Sequence, residues 1–367
     1  GAYPQDDGFA QKVRIEAEQV VRRLRNHASL ALWAGNNEND IALQWSPAHR
    51  HLDPNDDRIS RRVLAEAVRA FDPHRDYLPS SPYLSPALVA RGNLEAERPE
   101  DHLWGPRDDF KGPYYVNSPA HFASEVGYHG CPSRASLEQM LDGDHVWPAW
   151  RDGEIDRQWR CKAVASFPND HKFAHRIRQM AEQIAVLFGR TPDDLDHFIT
   201  ASQISQAEAL KFFIERFRIG KWRRTGILWW NLRDGWPVIS DGVVDYYGRR
   251  KIAFELIRRV QRDVCVMLAE PDDGRHEIVA VNDRLVACEG ECRIEDIDRG
   301  LHFDGRLSLG ANGRERLGVV PATDRPACYV LRWRIGDGPW QINHYISGPR
   351  PFDLARVMAW YERLGAM

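Results

Sequence analysis

The chain has 367 residues, enough to bury a sizeable core and to hold two domains. Its 50 basic and 53 acidic residues nearly cancel, so neither a nucleic-acid partner nor a membrane surface is implied. No apolar stretch is long enough to span a bilayer, and the six cysteines are sparse and scattered.

Taken in order, Phe9, Val13, Ala17, Val20, Val21 and Leu24 fall at helical spacing and predict a helix over about 9–26. An apolar run at 29–35, read as a buried strand, then empties into Asn36-Asn37-Glu38-Asn39. Desolvated polar groups need partners or a purpose, and in parallel-strand barrels the carboxyl ends of strands carry the active site. Glu38 is therefore a catalytic candidate.

A second helix, with Val63, Leu64, Ala67, Val68 and Phe71 on one face, should stop at Asp72-Pro73. Tyr77-Leu78-Pro79-Ser80-Ser81-Pro82 is short and proline-bounded, and His102-Leu103-Trp104-Gly105 and Ala120 to Glu125 are further strand ends. Helical patterns return at 171–188 and 203–217, Gly226 to Leu232 reads as a buried strand, and a helix at 248–261 follows. About five strands alternating with helices argue for a parallel α/β architecture, whereas a closed barrel needs eight. Either the sheet is open, or this is the later part of a barrel, since the chain opens in what reads as a loop at Gly1-Ala2-Tyr3-Pro4.

Beyond 262 the texture changes to short alternating stretches at Val264–Leu268, His276–Val281, Arg284–Cys288, Gly305–Leu309 and Tyr329–Trp333. That pattern predicts an antiparallel β-sandwich, giving domains at 1–261 and 262–367, the second with a short C-terminal helix. Cys288 and Cys292 lie within it without a second pair at metal-site spacing, and read as fortuitous thiols, with a disulfide left open.

Glu125 ends another apolar strand and supplies a second carboxylate. Two carboxylates at the ends of separate parallel strands suit retaining glycoside hydrolysis, in which one attacks the anomeric carbon and the other protonates the leaving oxygen. The 13 tryptophans suit stacking on sugar rings, although tryptophan is as often core. Equally ordinary roles exist for the acids: Glu38 as a helix cap or arginine partner, Glu125 in a structural ion pair.

Arg22-Arg23-Leu24-Arg25-Asn26-His27 through Asn37-Glu38, the Ser124-Glu125 strand, and Trp229-Trp230-Asn231-Leu232-Arg233-Asp234-Gly235-Trp236-Pro237 resemble the β-mannosidase branch of glycoside hydrolase family 2. The resemblance continues to Asn343-His344-Tyr345 and Pro351-Phe352-Asp353-Leu354. It implies an α/β fold comprising strands 4–8 of a (β/α)8 TIM barrel followed by a small all-β immunoglobulin-like sandwich. It also implies that the N-terminal domains and first three barrel strands of the family lie outside this chain, as a missing partner. Glu38 would be the acid/base, Glu125 the nucleophile and Asn37 a ligand of the sugar 2-hydroxyl. Trp104, Trp229, Trp230 and Trp236 would surround the sugar, with only one of the neighbouring Trp229 and Trp230 facing inward.

The implied substrate is a β-linked oligosaccharide or glycoside, and no metal or organic cofactor is expected. Arg233-Asp234 and Ser240-Asp241 depart from the branch's pattern, as does Val126-Gly127-Tyr128-His129. Arg233 could select an acidic sugar or pair with Asp241. Asn36 is expected to hold the loop that carries Glu38, and His121 and His129 to be satisfied polar neighbours. Besides a retaining exo-β-glycosidase, an inactive or merely sugar-binding truncated chain, or a hydrolase for glucosamine, galactose or a uronic acid, stays open.

Overall fold

The computed structural model describes residues 3–45, 49–92, 97–163 and 175–367. They form two compact units: Gly1–Leu103 with Ser118–Glu125 and Gly226–Leu228, and Trp104–Asn117 with Val126–Thr225 and Trp229–Met367.

In the first unit, Asp6 accepts the Phe9 N–H at 2.9 Å and starts the helix Asp7–Leu24. A side-chain cap of this kind satisfies one of the backbone donors left open by the first turn. Ala10 is buried against Ile59 and Val63, with Phe9, Val13 and Leu64 packed around them. The second helix runs through a π-helical turn, Ile59–Leu64, into Ala65–Phe71, and ends at Asp72 as the following proline requires.

Trp33–Ala34 pairs in parallel with Tyr77–Leu78. The expected buried strand at 29–35 is therefore corrected to two paired residues, with Leu32 47% exposed. Among the described residues it lies in a two-stranded sheet with one neighbour, which leaves its other edge without a paired strand there. Asp101–His102, Phe122–Gly127 and Gly226–Trp230 form a three-stranded sheet in that order, the first two strands parallel.

The second unit is built around the helix Leu195–Ile219, which begins well before the predicted 203. Its buried face includes Ser202, Gln203, Ser205, Gln206, Glu208, Lys211 and Glu215, and this polar content dilutes the hydrophobic periodicity. The helix His175–Phe188 matches the pattern read at 171–188, of which 171–174 lie outside the described residues. Ile252–Val260 answers the pattern at 248–261.

From Val264 onward two antiparallel sheets follow. One orders Gly300–Leu309, Cys288–Asp296, Ala327–Ile335 and Gln341–Ser347, and the other Arg314–Pro321, Arg275–Asn282 and Val264–Leu268. The strand read at Arg284–Cys288 is a turn, and the strand starts at Cys288. Asn282 closes that turn, accepting the Arg284 N–H at 3.0 Å and donating to the Val286 carbonyl at 2.9 Å. Strands Arg314–Pro321 and Gln341–Ser347 were not foreseen. All six cysteines are free thiols, and the expected C-terminal helix is Leu354–Arg363.

Buried polar groups join the long helix to the β-rich segment. Glu208 Oε1 lies 2.6 Å from His344 Nε2 and accepts the Tyr361 hydroxyl at 2.6 Å. Asn343 donates to Glu215 at 2.6 Å and to the Val266 carbonyl at 3.0 Å. Burial alone would push the Glu208 carboxyl up, but His344, Lys211 and Tyr361 outweigh it and hold the carboxyl at about 2. A carboxyl lowered on folding contributes stability above its ordinary 4.5 and loses it as pH falls toward 2. Glu208→Gln should therefore flatten the acid limb of the stability–pH curve by about 3 kcal/mol between those limits, read by denaturant titration. His344→Ala, which strands the buried carboxylate, should cost about 3–5 kcal/mol at neutral pH in the same measurement.

Candidate active site

The loop carrying Glu38 is pinned from below. Asn36 is buried and uses its whole amide: Nδ2 donates to Ser60 Oγ at 2.6 Å and to the Pro79 carbonyl at 3.1 Å. Its Oδ1 accepts the Asn39 N–H at 3.1 Å and the Ser80 hydroxyl at 2.7 Å. Glu38 itself has φ +61°, a left-handed backbone that costs a side-chain-bearing residue on the order of 1 kcal/mol. Its N–H donates to the Ser81 carbonyl at 2.7 Å, which holds the strained residue in place.

This geometry turns the Glu38 side chain toward His102, whose Nδ1 lies 2.8 Å from Glu38 Oε1 and 3.4 Å from Glu125 Oε2. The backbone sets Glu125 there, because the Leu103 N–H donates to the Glu125 carbonyl at 2.7 Å. The His102 side chain is 2% exposed, against 19% for Glu38 and 15% for Glu125. The two carboxylates thus keep a solvent-facing side while the imidazole between them is sealed.

One atom from each of these three residues lies within 4.8 Å of the others, a set that could hold a metal ion. The 2.8 Å contact is a hydrogen-bond length, whereas two ligands of a tetrahedral zinc with bonds of about 2.0–2.1 Å stand about 3.3 Å apart. The Glu38–His102 contact is accordingly a proton-bearing one.

A third carboxylate lies behind the pair. Glu100 is buried, accepts the Tyr83 N–H at 3.1 Å and the Ser81 hydroxyl at 3.1 Å, and also accepts the Ser124 hydroxyl. Burial pushes its carboxyl up from the usual range, opposed by these donors and by His102. Ser81 Oγ lies 3.1 Å from His102 Nε2 as well. Sequence reasoning quoted His102 and Ser81 only as members of strand ends and passed over Glu100. The available signal was the clustering of Glu100, Asp101 and His102 at the start of a strand, where alternate residues share a face.

Glu38, Glu125 and Asn37 belong to the first unit, and the Asn37 side chain is exposed beside a parallel bridge to Ser81. Trp104, Trp229, Trp230 and Trp236 belong to the second. There the Arg107 guanidinium lies over the Trp104 ring, 3.6 Å from its centroid. A Cβ on Gly127 would meet the Trp104 ring at 2.6 Å and the Trp230 carbonyl at 2.9 Å, so glycine is required for this close approach. Trp229 is half-buried, while Trp230 and Trp236 are 47% and 43% exposed.

The second unit corrects two expectations. Arg233 does not pair with Asp241; it donates to the Tyr246 carbonyl at 3.0 Å, and Asp241 faces Arg107 at 3.5 Å instead. His129 is not a satisfied neighbour, since both ring nitrogens lack a hydrogen-bond partner among the described residues. Burial pushes its pKa down to about 3, which keeps the ring neutral beside Asp241.

Two carboxylates facing one imidazole beside parallel strand pairs form an arrangement compatible with glycoside hydrolysis. Comparisons with known proteins bear on the family. β-Mannosidase B of Thermothelomyces thermophilus is 30% identical over 287 residues, covering 72% of this chain and 32% of that protein. β-Mannosidase B of Aspergillus fumigatus is 25% identical, covering 96% and 44%. Among solved structures, the β-D-mannosidase of Dictyoglomus thermophilum matches at TM-score 0.79 and 26% identity over 95% of this chain and 42% of that one. An exo-chitosanase of Amycolatopsis orientalis shares the fold at TM-score 0.69, with 16% identity over 95% of this chain and 40% of its own. No family model matches. The chain belongs to the β-mannosidase-like branch of glycoside hydrolase family 2, and spans less than half the length of these relatives.

Asn36→Ala would orphan the Ser60, Ser80 and Asn39 partners of the Glu38 loop. It should lower the unfolding free energy by about 1–3 kcal/mol in denaturant titration.

Proposed function

We propose that the protein is a retaining exo-β-glycosidase of β-mannosidase type, releasing terminal β-linked sugars by double displacement. The observation that carries this reading is the approach of Glu38 and Glu125, each with an oxygen within 4.8 Å of the other and of the His102 ring. Carboxyls of retaining enzymes stand about 5–5.5 Å apart, and those of inverting enzymes about 6.5–9.5 Å, to leave room for water. Family membership supports the choice of glycon.

In this mechanism Glu125 attacks the anomeric carbon and forms a glycosyl-enzyme while Glu38 gives its proton to the departing oxygen. Glu38 then removes a proton from water, which displaces the sugar from Glu125 with net retention. In this assignment Glu38 is the group that delivers the proton and Glu125 the group that attacks. Asn37 is assigned to the sugar 2-hydroxyl, with Trp104, Trp229, Trp230 and Trp236 as the aromatic walls of the sugar site. The parallel strand segments correspond, in this reading, to strands 4–8 of a (β/α)8 barrel. Residues 262–367 form an immunoglobulin-like sandwich without a chemical role.

A second reading is favoured by the short relative length of the chain and by the open surface around Leu32 and Ala34. There the chain binds sugar and turns over only together with further parts of such an enzyme. A panel of aryl β-glycosides separates the two, and mannosides should be turned over fastest. Glu125→Ala should lower kcat by at least about 10³-fold, as losing a catalytic nucleophile does. Azide should restore turnover with an inverted glycosyl azide as product, identified by NMR. Unchanged activity in Glu125→Ala would remove that residue from the mechanism.

A further inference from the structure

Resting on the reading above, the acid needs a proton on Glu38 before each turnover, and a count of hydrogens shows what holds it there. Ser81 Oγ lies 3.1 Å from both Glu100 Oε2 and His102 Nε2. A serine hydroxyl has one hydrogen, and an ionised carboxylate only accepts. Glu100 is surrounded by donors, with the Tyr83 N–H at 3.1 Å and the hydroxyls of Ser124 and Ser81 directed at it. With Glu100 ionised, the Ser81 hydrogen goes to Glu100, and the Ser81 oxygen takes the hydrogen carried by His102 Nε2. A neutral imidazole has no other N–H to offer. Yet Nδ1 and Glu38 Oε1 stand 2.8 Å apart, a distance that requires a hydrogen between them. That hydrogen is an additional one, shared between the Glu38 carboxyl and Nδ1.

We propose that Glu100 is a positioning residue which, acting through Ser81, keeps His102 protonated on Nε2 and so makes the Glu38–His102 pair retain the proton that glycosidic cleavage consumes. Glu100 touches no reacting atom. It also reaches the nucleophile's neighbour, Ser124, so one buried carboxylate braces the strand ends that carry Glu38, His102 and Glu125. The other charged groups facing the imidazole among the described residues are Glu38 and Glu125 on its Nδ1 side. On its own strand, Asp101 is engaged by Arg98 at 3.0 Å and by the His102 N–H at 3.0 Å.

The test has one arm independent of turnover. In 15N-histidine-labelled protein, with His102→Gln to assign the signal, Nε2 should carry a proton across the neutral pH range. In Ser81→Ala and Glu100→Gln that preference should be lost. A bare Nε2 in the unsubstituted protein overturns the proposal, even if both variants fail to fold.

In the kinetic arm, both variants should move the basic limb of the kcat/KM–pH profile down by about one unit, a tenfold loss of proton affinity. Their kcat should fall about 10–100-fold for aryl mannosides with poor leaving groups, and little for dinitrophenyl mannoside, whose departure needs no acid. Equal losses on both substrates with an unmoved profile, in folded variants, also overturn it. Absence of turnover in the unsubstituted protein refutes the glycosidase reading instead, and the nitrogen spectra still decide the role of Glu100.

Discussion

The imidazole of His102 between two carboxylates is the contact on which the site depends. Two negative charges with oxygens no more than 4.8 Å apart repel by at least about 3 kcal/mol at an effective dielectric constant near 20, several times the thermal energy. A proton-bearing group between them removes most of that cost. It also makes the two acids unequal, since Nδ1 is 2.8 Å from Glu38 and 3.4 Å from Glu125. Division of labour between chemically identical side chains starts from such an asymmetry of surroundings.

Holding that contact requires backbone order at several separate places in the chain. Glu38 accepts a left-handed conformation because Ser81 takes its N–H and Asn36 locks the preceding turn. His102 and Glu125 come together through parallel pairing of their strands, and Glu100 ties both to Ser81 from behind. Strain at Glu38 is tolerated because the surrounding hydrogen bonds over-determine its position. Polar groups here do the positioning that apolar packing does elsewhere in the fold.

The second unit uses the same economy for a different end. Its longest helix buries several charged and amide side chains that find partners: Glu208 meets His344 and the Tyr361 hydroxyl, Lys211 pairs with Glu215 one turn along the same helix, Glu215 also accepts from Asn343, and Gln206 donates to the Tyr128 and Asp241 carbonyls. Such groups are tolerable only when satisfied, so they specify one arrangement of helix against strand where an apolar face would allow several.

Much of this was legible in one dimension. Apolar runs ending in Asn37-Glu38 and Ser124-Glu125 marked both acids, because strand termini and polar clusters are local features of the chain. Helix ends at Asp72 and the strand Val264–Leu268 were readable for the same reason. What the sequence could not express was which distant groups face each other. Arg107 rather than Arg233 opposes Asp241, and His129 is left without a hydrogen-bond partner among the described residues. Glu100 and Ser81 carry no motif of their own, and they gain meaning only because folding brings residues 38, 81, 100, 102 and 125 into one hydrogen-bonded set. Residue types and their periodicity placed one carboxylate just beyond a strand segment and the other within the last residues of a second. The tertiary structure alone decided that His102 stands between them, nearer to Glu38 than to Glu125, because that depends on distances of a few ångströms between residues far apart in the chain.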